Sequence, residues 1–124
     1  MGKFAIKKVN TGYHFNLVAN NGLNICTSQV YADLSGAKNG IESIRTNAPI
    51  AEVEDQTKEN FEVKPNPKFE VYTDKAGEFR FRLKAKNGQV IAASEGYASW
   101  SGLENGIESV RKNAVDSEVV MEEE

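Results

Sequence analysis

Two stretches of this sequence, residues 3–48 and 68–114, are copies of one another. The agreement is closest where each copy ends, in SGAKNGIESIRTNA at 35–48 and SGLENGIESVRKNA at 101–114. A unit of fewer than about 50 residues buries too little apolar surface to be stable by itself. Repeats of this size are stable when neighbouring copies pack together. We therefore expect the two copies to share one core and form one compact domain.

Each copy opens with three short stretches that predict strands of an antiparallel sheet. The pattern is clearest in residues 79–86, where four apolar residues alternate with four cations. A period of two is typical of a strand with one face on the core and the other in water. Between the second and third strands, Asn21-Gly22 and Asn87-Gly88 predict two-residue type I′ turns.

Apolar residues at three- and four-residue spacing predict one helix in each copy, over about 34–47 and 100–113. Gly40 and Gly106 lie in mid-helix, where glycine costs about 1 kcal/mol relative to alanine. Each glycine directly precedes an inward-facing isoleucine, so we expect the helix backbone to pack closely on the sheet there. The candidate N-cap residues are Asp33 or Ser35 and Ser99 or Ser101.

The residues expected to form one contiguous core come from both copies. They are Phe4, Ile6, Phe15, Leu17, Ile41, Ile44, Phe69, Val71, Phe81, Leu83, Ile107 and Val110.

Element boundaries follow from these patterns. The first repeat spans 1–58, with strands at about 3–9, 13–19 and 23–28, the helix, and a weakly alternating fourth strand at about 50–54. Residues 59–67 form a linker stiffened by two prolines. The second repeat spans 68–121, with strands at about 68–73, 79–86 and 89–94, the helix, and a strand at about 116–121. Residues 122–124 are expected to be a disordered acidic tail.

The sequence resembles the YegP-like family, small bacterial and archaeal proteins of unknown function. The resemblance rests on an Asn-Gly turn followed by the motif Tyr-Ala-x-x-Ser-Gly-x-x-Asn-Gly-Ile-Glu-Ser-[Ile/Val]-Arg-x-Asn-Ala, at 31–48 and 97–114. It implies α+β units of three strands, a helix and a strand, arranged with pseudo-twofold symmetry around a shared antiparallel sheet covered by the two helices. It also implies that the strand after each helix is exchanged between the units. No catalytic residue comes with the family.

Charge is distributed unevenly along the chain, whose formal net charge is −3. Both repeats carry more cations than acids, while the segments that follow them, 49–67 and 115–124, are acidic. These acids either keep exposed segments in solution or lie against the basic faces of the repeats.

Two sets of polar residues are candidates for binding. The first is the cationic row on the second strand of the second copy, which could follow a phosphate backbone or be neutralised by Glu70 on the neighbouring strand. It comprises Arg80, Arg82, Lys84 and Lys86. The second set is kept in both helices and could frame an anionic ligand, serve helix capping and pairing, or make contact between the two units. It comprises Asn39, Arg45, Asn105 and Arg111.

We expect no enzyme activity, cofactor or metal. One histidine and one cysteine cannot form a zinc site or a Cys–His pair when they lack a neighbouring partner. Cys26 aligns with Ala92, which indicates a packed strand position. Gly36 and Gly102 begin helices, but neither lies in a phosphate-loop motif.

The sequence therefore predicts a small soluble cytoplasmic monomer with two internal repeats that interacts with another protein. No apolar run approaches the roughly 20 residues that span a bilayer, so we expect no membrane association. The alternative is binding of nucleic acid or an anionic ligand through residues 80–86 or the repeated Asn and Arg positions. The overall negative charge disfavours nucleic acid.

Overall fold

The computed structural model describes residues 2–122, which form two helices and eight strands. The first repeat supplies β1 (Lys3–Val9), β2 (Gly12–Val18), β3 (Asn24–Ser28), α1 (Leu34–Asn47) and β4 (Glu52–Asp55). The second repeat supplies β5 (Lys68–Thr73), β6 (Phe79–Lys84), β7 (Val90–Ser94), α2 (Trp100–Asp116) and β8 (Glu118–Glu122). The strands form one sheet in the order β4-β5-β6-β7-β3-β2-β1-β8.

The strand that follows each helix pairs with the first strand of the other repeat. β4 lies beside β5, and β8 lies beside β1, while β3 and β7 join the two repeats in the middle of the sheet. Each repeat therefore supplies a strand that completes the edge of the other.

The sheet is mixed, and the expectation of a wholly antiparallel sheet was wrong. The two outer pairs, β4 with β5 and β1 with β8, are parallel, whereas the five inner pairs are antiparallel. Parallel neighbours need a crossover connection of about a dozen residues. Residues 56–67 provide that connection between β4 and β5.

The predicted core is confirmed. All twelve predicted residues belong to one buried cluster that both repeats contribute to. Equivalent phenylalanines pack edge to face in each half, with ring centroids 5.9 Å apart for Phe4 and Phe15 and 5.7 Å apart for Phe69 and Phe81. One core shared by both copies accounts for how units this small fold.

The mid-helix glycines are buried, and their close neighbour is a tyrosine from the loop before the helix. A Cβ atom added to Gly40 would lie 2.4 Å from the hydroxyl oxygen of Tyr31, and one added to Gly106 would lie 2.4 Å from that of Tyr97. The phenol rings occupy the space that a side chain would need. The expected neighbour of these glycines was the sheet, but their nearest neighbour is a tyrosine of the preceding loop, which the sequence pattern did not indicate.

The prediction of two-residue type I′ turns was wrong. The amide of Gly22 donates to the carbonyl of Ala19, and the amide of Ala19 donates to the carbonyl of Leu23, which leaves a three-residue loop. Among the described residues only glycines have positive φ, including Gly22 at +85°. A type I′ turn needs two such residues in a row, so this loop is a type I turn that ends in a left-handed glycine. The loop that ends at Gly88 is built in the same way.

Several boundaries also differ from the predictions. β6 ends at Lys84, because the loop before Gly88 takes one more residue than a two-residue turn. α2 continues to Asp116, since no proline follows it as Pro49 follows α1. Glu122, expected in a disordered tail, belongs to β8 and lies in register with Lys7. The predicted tail residues 123–124 lie outside the described residues.

The N-caps are Asp33 and Ser99, whose side chains accept hydrogen bonds from the backbone amides of Gly36 and Gly102.

Candidate binding clefts

The cationic residues of β6 are paired with acids on the face of the sheet that points away from the helices. Arg80 Nε lies 2.6 Å from Asp74 Oδ2, and Arg82 Nε lies 2.6 Å from Glu70 Oε1. Lys84 Nζ lies 3.4 Å from Glu70 Oε2. Three of the four residues in the predicted cationic row are therefore paired with acids of the chain, and two of them, Arg82 and Lys84, share Glu70.

The row belongs to a larger ionic cluster that includes an acid of the segment after α1, one of the two arrangements expected for the acids of that segment. Lys68 Nζ donates to Glu54 Oε1 at 2.8 Å and lies 3.4 Å from Glu70 Oε2, and all three side chains are buried. The linker closes the cluster, because the backbone amide of Lys64 donates to Glu54 at 2.8 Å. In the sequence Glu54 is one acid among several, and only the pairing of β4 with β5 shows that it enters the interior.

These contacts shift the pKa values of the buried groups. Burial raises the pKa of Glu54, but hydrogen bonds from Lys68, Gln56 and the Lys64 amide outweigh it and lower that pKa to about 2. The hydrogen bond to Glu54 in turn raises the pKa of Lys68. The ion pair between Lys68 and Glu54 therefore links β5 to β4 within this cluster.

Arg45 and Arg111 hold the exchanged strands in place. Arg111 Nη2 donates to the carbonyl of Ala51 at 2.7 Å, just before β4, and its guanidinium lies 5.4 Å from the centroid of the Phe69 ring. Arg45 makes the equivalent hydrogen bond to the carbonyl of Ser117, just before β8. Each helix therefore binds a segment of the other repeat through its arginine, and both arginines stabilise the fold.

Two equivalent clefts lie between a helix of one repeat and the β-hairpin of the other. The first, about 360 Å³, lies between α2 and the β2–β3 hairpin; the second, about 300 Å³, lies between α1 and the β6–β7 hairpin. Every one of the eleven residues lining one cleft corresponds, 66 positions along the chain, to a residue lining the other. Eight of the eleven pairs are the same residue type. They are Ala19/Ala85, Asn21/Asn87, Ile25/Ile91, Tyr31/Tyr97, Gly36/Gly102, Asn39/Asn105, Gly40/Gly106 and Ser43/Ser109.

Several of these shared residues make hydrogen bonds within the fold. The side chain of Asn21 accepts a hydrogen bond from the Leu23 amide, and Ser43 accepts one from Asn47. Asn39 and Asn105 differ from them, because they are exposed and the described residues give their side chains no hydrogen-bond partner. Lys86 also reaches this region, since it lines a groove of about 380 Å³ next to the second cleft together with Asn39. Of the eight predicted site residues, the structure therefore places Asn39, Asn105 and Lys86 at these clefts, and Arg111 lines a smaller groove of about 140 Å³ beside β4.

The three pairs that differ give each cleft its own chemistry. Leu23, Asn24 and Glu95 line the first cleft where Gln89, Val90 and Gln29 line the second. One cleft therefore carries a carboxylate, and its counterpart carries only neutral side chains among these three positions.

Other reactive groups lie outside the clefts. Burial raises the pKa of the Cys26 thiol to about 12, so the thiolate is scarce at neutral pH. Among residues 2–122, no group of three or more histidine, cysteine, aspartate or glutamate side chains is placed to hold a metal ion. No helix in this part of the chain is long and apolar enough to cross a membrane.

The fold and the paired clefts define a tandem-repeat α+β protein whose two copies complete each other's sheet. The family model described as "Domain of unknown function (DUF1508)" matches residues 9–55 and 74–120, and the chain belongs to this family. The resemblance to the YegP-like family is confirmed.

Several relatives cover one or both copies. The chain is 42% identical over 118 residues to "UPF0339 protein YegP" of Yersinia pestis, covering 94% of this chain and 92% of that protein. It is 64% identical over 53 residues to a UPF0339 protein of Treponema denticola, covering 43% of this chain but 91% of that protein. The solution NMR structure of the "protein of unknown function yegP" from E. coli has a TM-score of 0.77 at 34% identity and covers 97% of this chain and 91% of that one. No activity is named for any of them.

Proposed function

We propose that this protein is a small non-enzymatic interaction protein of the cytoplasm that binds a partner protein through its two equivalent clefts. The observation that carries the proposal is the retention of Asn39 and Asn105. Both are exposed and lie at the same place in the two clefts, and neither has a hydrogen bond that would explain it within the described residues. Asparagine stabilises a helix interior less than alanine does. An asparagine at this position in both helices therefore lowers the stability of the fold.

The chemistry of the cleft walls suits a polypeptide. An asparagine amide both donates and accepts hydrogen bonds, which matches the N–H and C=O groups of a peptide backbone. Ile25 and Tyr97 in the first cleft, and Ile91 and Tyr31 in the second, offer apolar surface for a side chain. Volumes of about 300 and 360 Å³ fall at the lower end of the range for ligand sites, which accommodates one or two side chains in each.

The proposal includes a pseudo-twofold relation between the repeats. The strand order is the same from either edge of the sheet when each strand is replaced by its equivalent in the other repeat. The equivalent strands are β1 and β5, β2 and β6, β3 and β7, and β4 and β8. This order supports an axis between β3 and β7. The matching lining residues of the clefts support it as well. A partner that engages both clefts at once would gain avidity, because the second contact forms at a high effective concentration.

A photocrosslinking experiment on the full chain tests the proposal. A photoreactive phenylalanine analogue is placed at position 39, at position 105 or, as a control, at the exposed position 75 in the β5–β6 turn, and the cells are irradiated. We expect the same protein to be captured from positions 39 and 105 and not from position 75. Binding of that purified partner to Asn39→Ala, Asn105→Ala and the double variant is then measured by calorimetry.

The two asparagine variants separate binding from stability. Alanine is the better helix former by roughly 0.5 kcal/mol, so each variant should be at least as stable as the parent while binding more weakly. Unchanged affinity in the double variant would contradict the proposal. Capture of nucleic acid in place of protein, with affinity that falls steeply as salt rises, would favour the alternative function.

A further inference from the structure

The two edges of the sheet are not alike, although the repeats supply both. β4 and β8 are the outermost strands, and neither has a neighbour on its outer side among the described residues. Beside β8, a groove of about 390 Å³ runs between the strand and α1, and its strand wall is formed by Val119 and Met121. These two side chains are 39% and 50% exposed.

The corresponding groove beside β4 is smaller. Its volume is about 140 Å³, and it is lined by Trp100 and Leu103 where the first repeat has the smaller Leu34 and Ala37. Trp100 packs edge to face on Phe79 with ring centroids 5.5 Å apart. Asp55 stands in β4 at the position that Met121 holds in β8. The groove beside β8 therefore has two exposed apolar side chains on its strand wall and Lys38, Asn39 and Glu42 on its helix wall. It has no counterpart of equal size at β4.

We propose that the outer edge of β8 binds an extended segment of a partner protein in which cations alternate with apolar residues. The proposal rests on the proposed function only in taking the protein to be an interaction protein. It uses a different surface, whose helix wall shares Asn39 with the second cleft. Alternate residues of a strand point to opposite faces of the sheet. Val119 and Met121 lie on the helix side, and Glu118 and Glu122 lie on the other side. An added strand would place apolar residues beside the first pair and cations beside the second.

The chain contains its own example of such a strand. β1 pairs with the inner edge of β8, with Lys3 opposite Glu118, Phe4 opposite Val119, Ile6 opposite Met121 and Lys7 opposite Glu122. Charge over a wider region points the same way, because residues 115–124 contain five acids and no lysine or arginine. Opposite charges on neighbouring strands stabilise the pairing.

The same charges argue against a second copy of this chain as the occupant. Pairing β8 with another β8 would bring glutamates of the two strands together, and like charges directly opposite each other are destabilising. Acidic residues on an edge strand are a known way of preventing such self-association. The glutamates of β8 therefore disfavour pairing with a second β8 strand and favour pairing with a basic strand.

The test uses an acetylated and amidated peptide with the sequence of residues 3–9 and a second peptide in which its three lysines are replaced by glutamates. Each is titrated into the full ¹⁵N-labelled protein. We expect the lysine peptide to shift the amide signals of β8 and of the adjacent part of α1, and not those of β4. The glutamate peptide should bind about tenfold more weakly or worse, since each favourable cross-strand charge pair becomes a repulsive one.

Matched variants locate the site. Met121→Lys should weaken binding of the lysine peptide by about tenfold, whereas Asp55→Lys, the equivalent change at the other edge, should leave it unchanged. Asn105→Ala should also leave it unchanged, which separates this proposal from the twin-cleft function. Both lysine variants are first checked for a native spectrum, and a Val119→Lys variant replaces Met121→Lys if that one fails to fold.

Three results would overturn the inference. They are equal binding of the two peptides, signal changes at β4 equal to those at β8, and a dimer of the free protein in light scattering that Met121→Lys dissociates.

Discussion

Replacing Arg111 with methionine tests whether the helices hold the exchanged strands. Methionine keeps an unbranched stem of similar length over Phe69 but removes the guanidinium that donates to the Ala51 carbonyl at 2.7 Å. A hydrogen bond from a charged group contributes about 1.5–3 kcal/mol, and the contact with the Phe69 ring contributes about 0.5 kcal/mol at a partly exposed position. Arg111 Nε is buried without a hydrogen-bond partner, and its removal returns part of this loss. We expect a net destabilisation of about 2 kcal/mol.

Urea unfolding measures this loss, and hydrogen exchange shows where it falls. In Arg111→Met the amides of β4 should lose protection before those of β8, and in Arg45→Met the order should be reversed, because Arg45 binds the segment before β8. Glu108→Ala is the control, since it removes only the exposed ion pair with Arg111 and should cost a few tenths of a kcal/mol. If Arg111→Met costs no more than Glu108→Ala, the arginine does not hold the strand and the reasoning fails.

Four further predictions concern the core, the ionic cluster and the joining of the repeats. Phe81→Ala should destabilise by about 3–5 kcal/mol in thermal or urea unfolding, as a fully buried aromatic ring is lost. Gly106→Leu should also unfold at lower urea, because the added side chain meets Tyr97; a gain of about 1 kcal/mol would show that helix propensity dominates. Glu54 has a lowered pKa, so its contribution is complete above its ordinary pKa of about 4.5 and is lost as pH falls toward 2. The stability difference between the parent and Glu54→Gln should therefore shrink in that interval, and a constant difference in acid unfolding curves would contradict it. Residues 1–58 alone should associate or unfold, since β8 is missing and β4 has no β5 beside it; a protected monomer by mass and hydrogen exchange would argue against this.

Local patterns were sufficient for most of the elements and for the core. The alternation in β6 and the three- and four-residue spacing in α1 and α2 indicate which face of each element is buried. That face can be read from residues close in sequence. The turn type was missed because Asn-Gly is compatible with two loop lengths, and only the hydrogen bond from Ala19 to Leu23 distinguishes them.

The roles of the site residues depended on contacts between distant parts of the chain. For Arg45 and Arg111 the sequence left a ligand site and contact between the two units as alternatives, and both bind carbonyls of the other repeat, 72 and 60 positions away. Nothing near Glu54 in the sequence shows that it meets Lys68 and Glu70, since that depends on the parallel register of β4 and β5. The twin clefts combine residues from both repeats, so the pattern within one copy could indicate Asn39 and Asn105 but not the hairpins opposite them.

The linker between β4 and β5 has a consequence for how the two halves can change over time. In an assembly of two identical chains every substitution appears twice, so both binding surfaces must change together. Here each half has its own codons, and the halves already differ in sequence. Glu95 corresponds to Gln29 in the clefts, Met121 to Asp55 at the edges, and Glu70 to Ala5 on the outer face. A covalent tie thus allows two similar halves to acquire different specificities at the two ends of the sheet while each half still depends on the other for a strand.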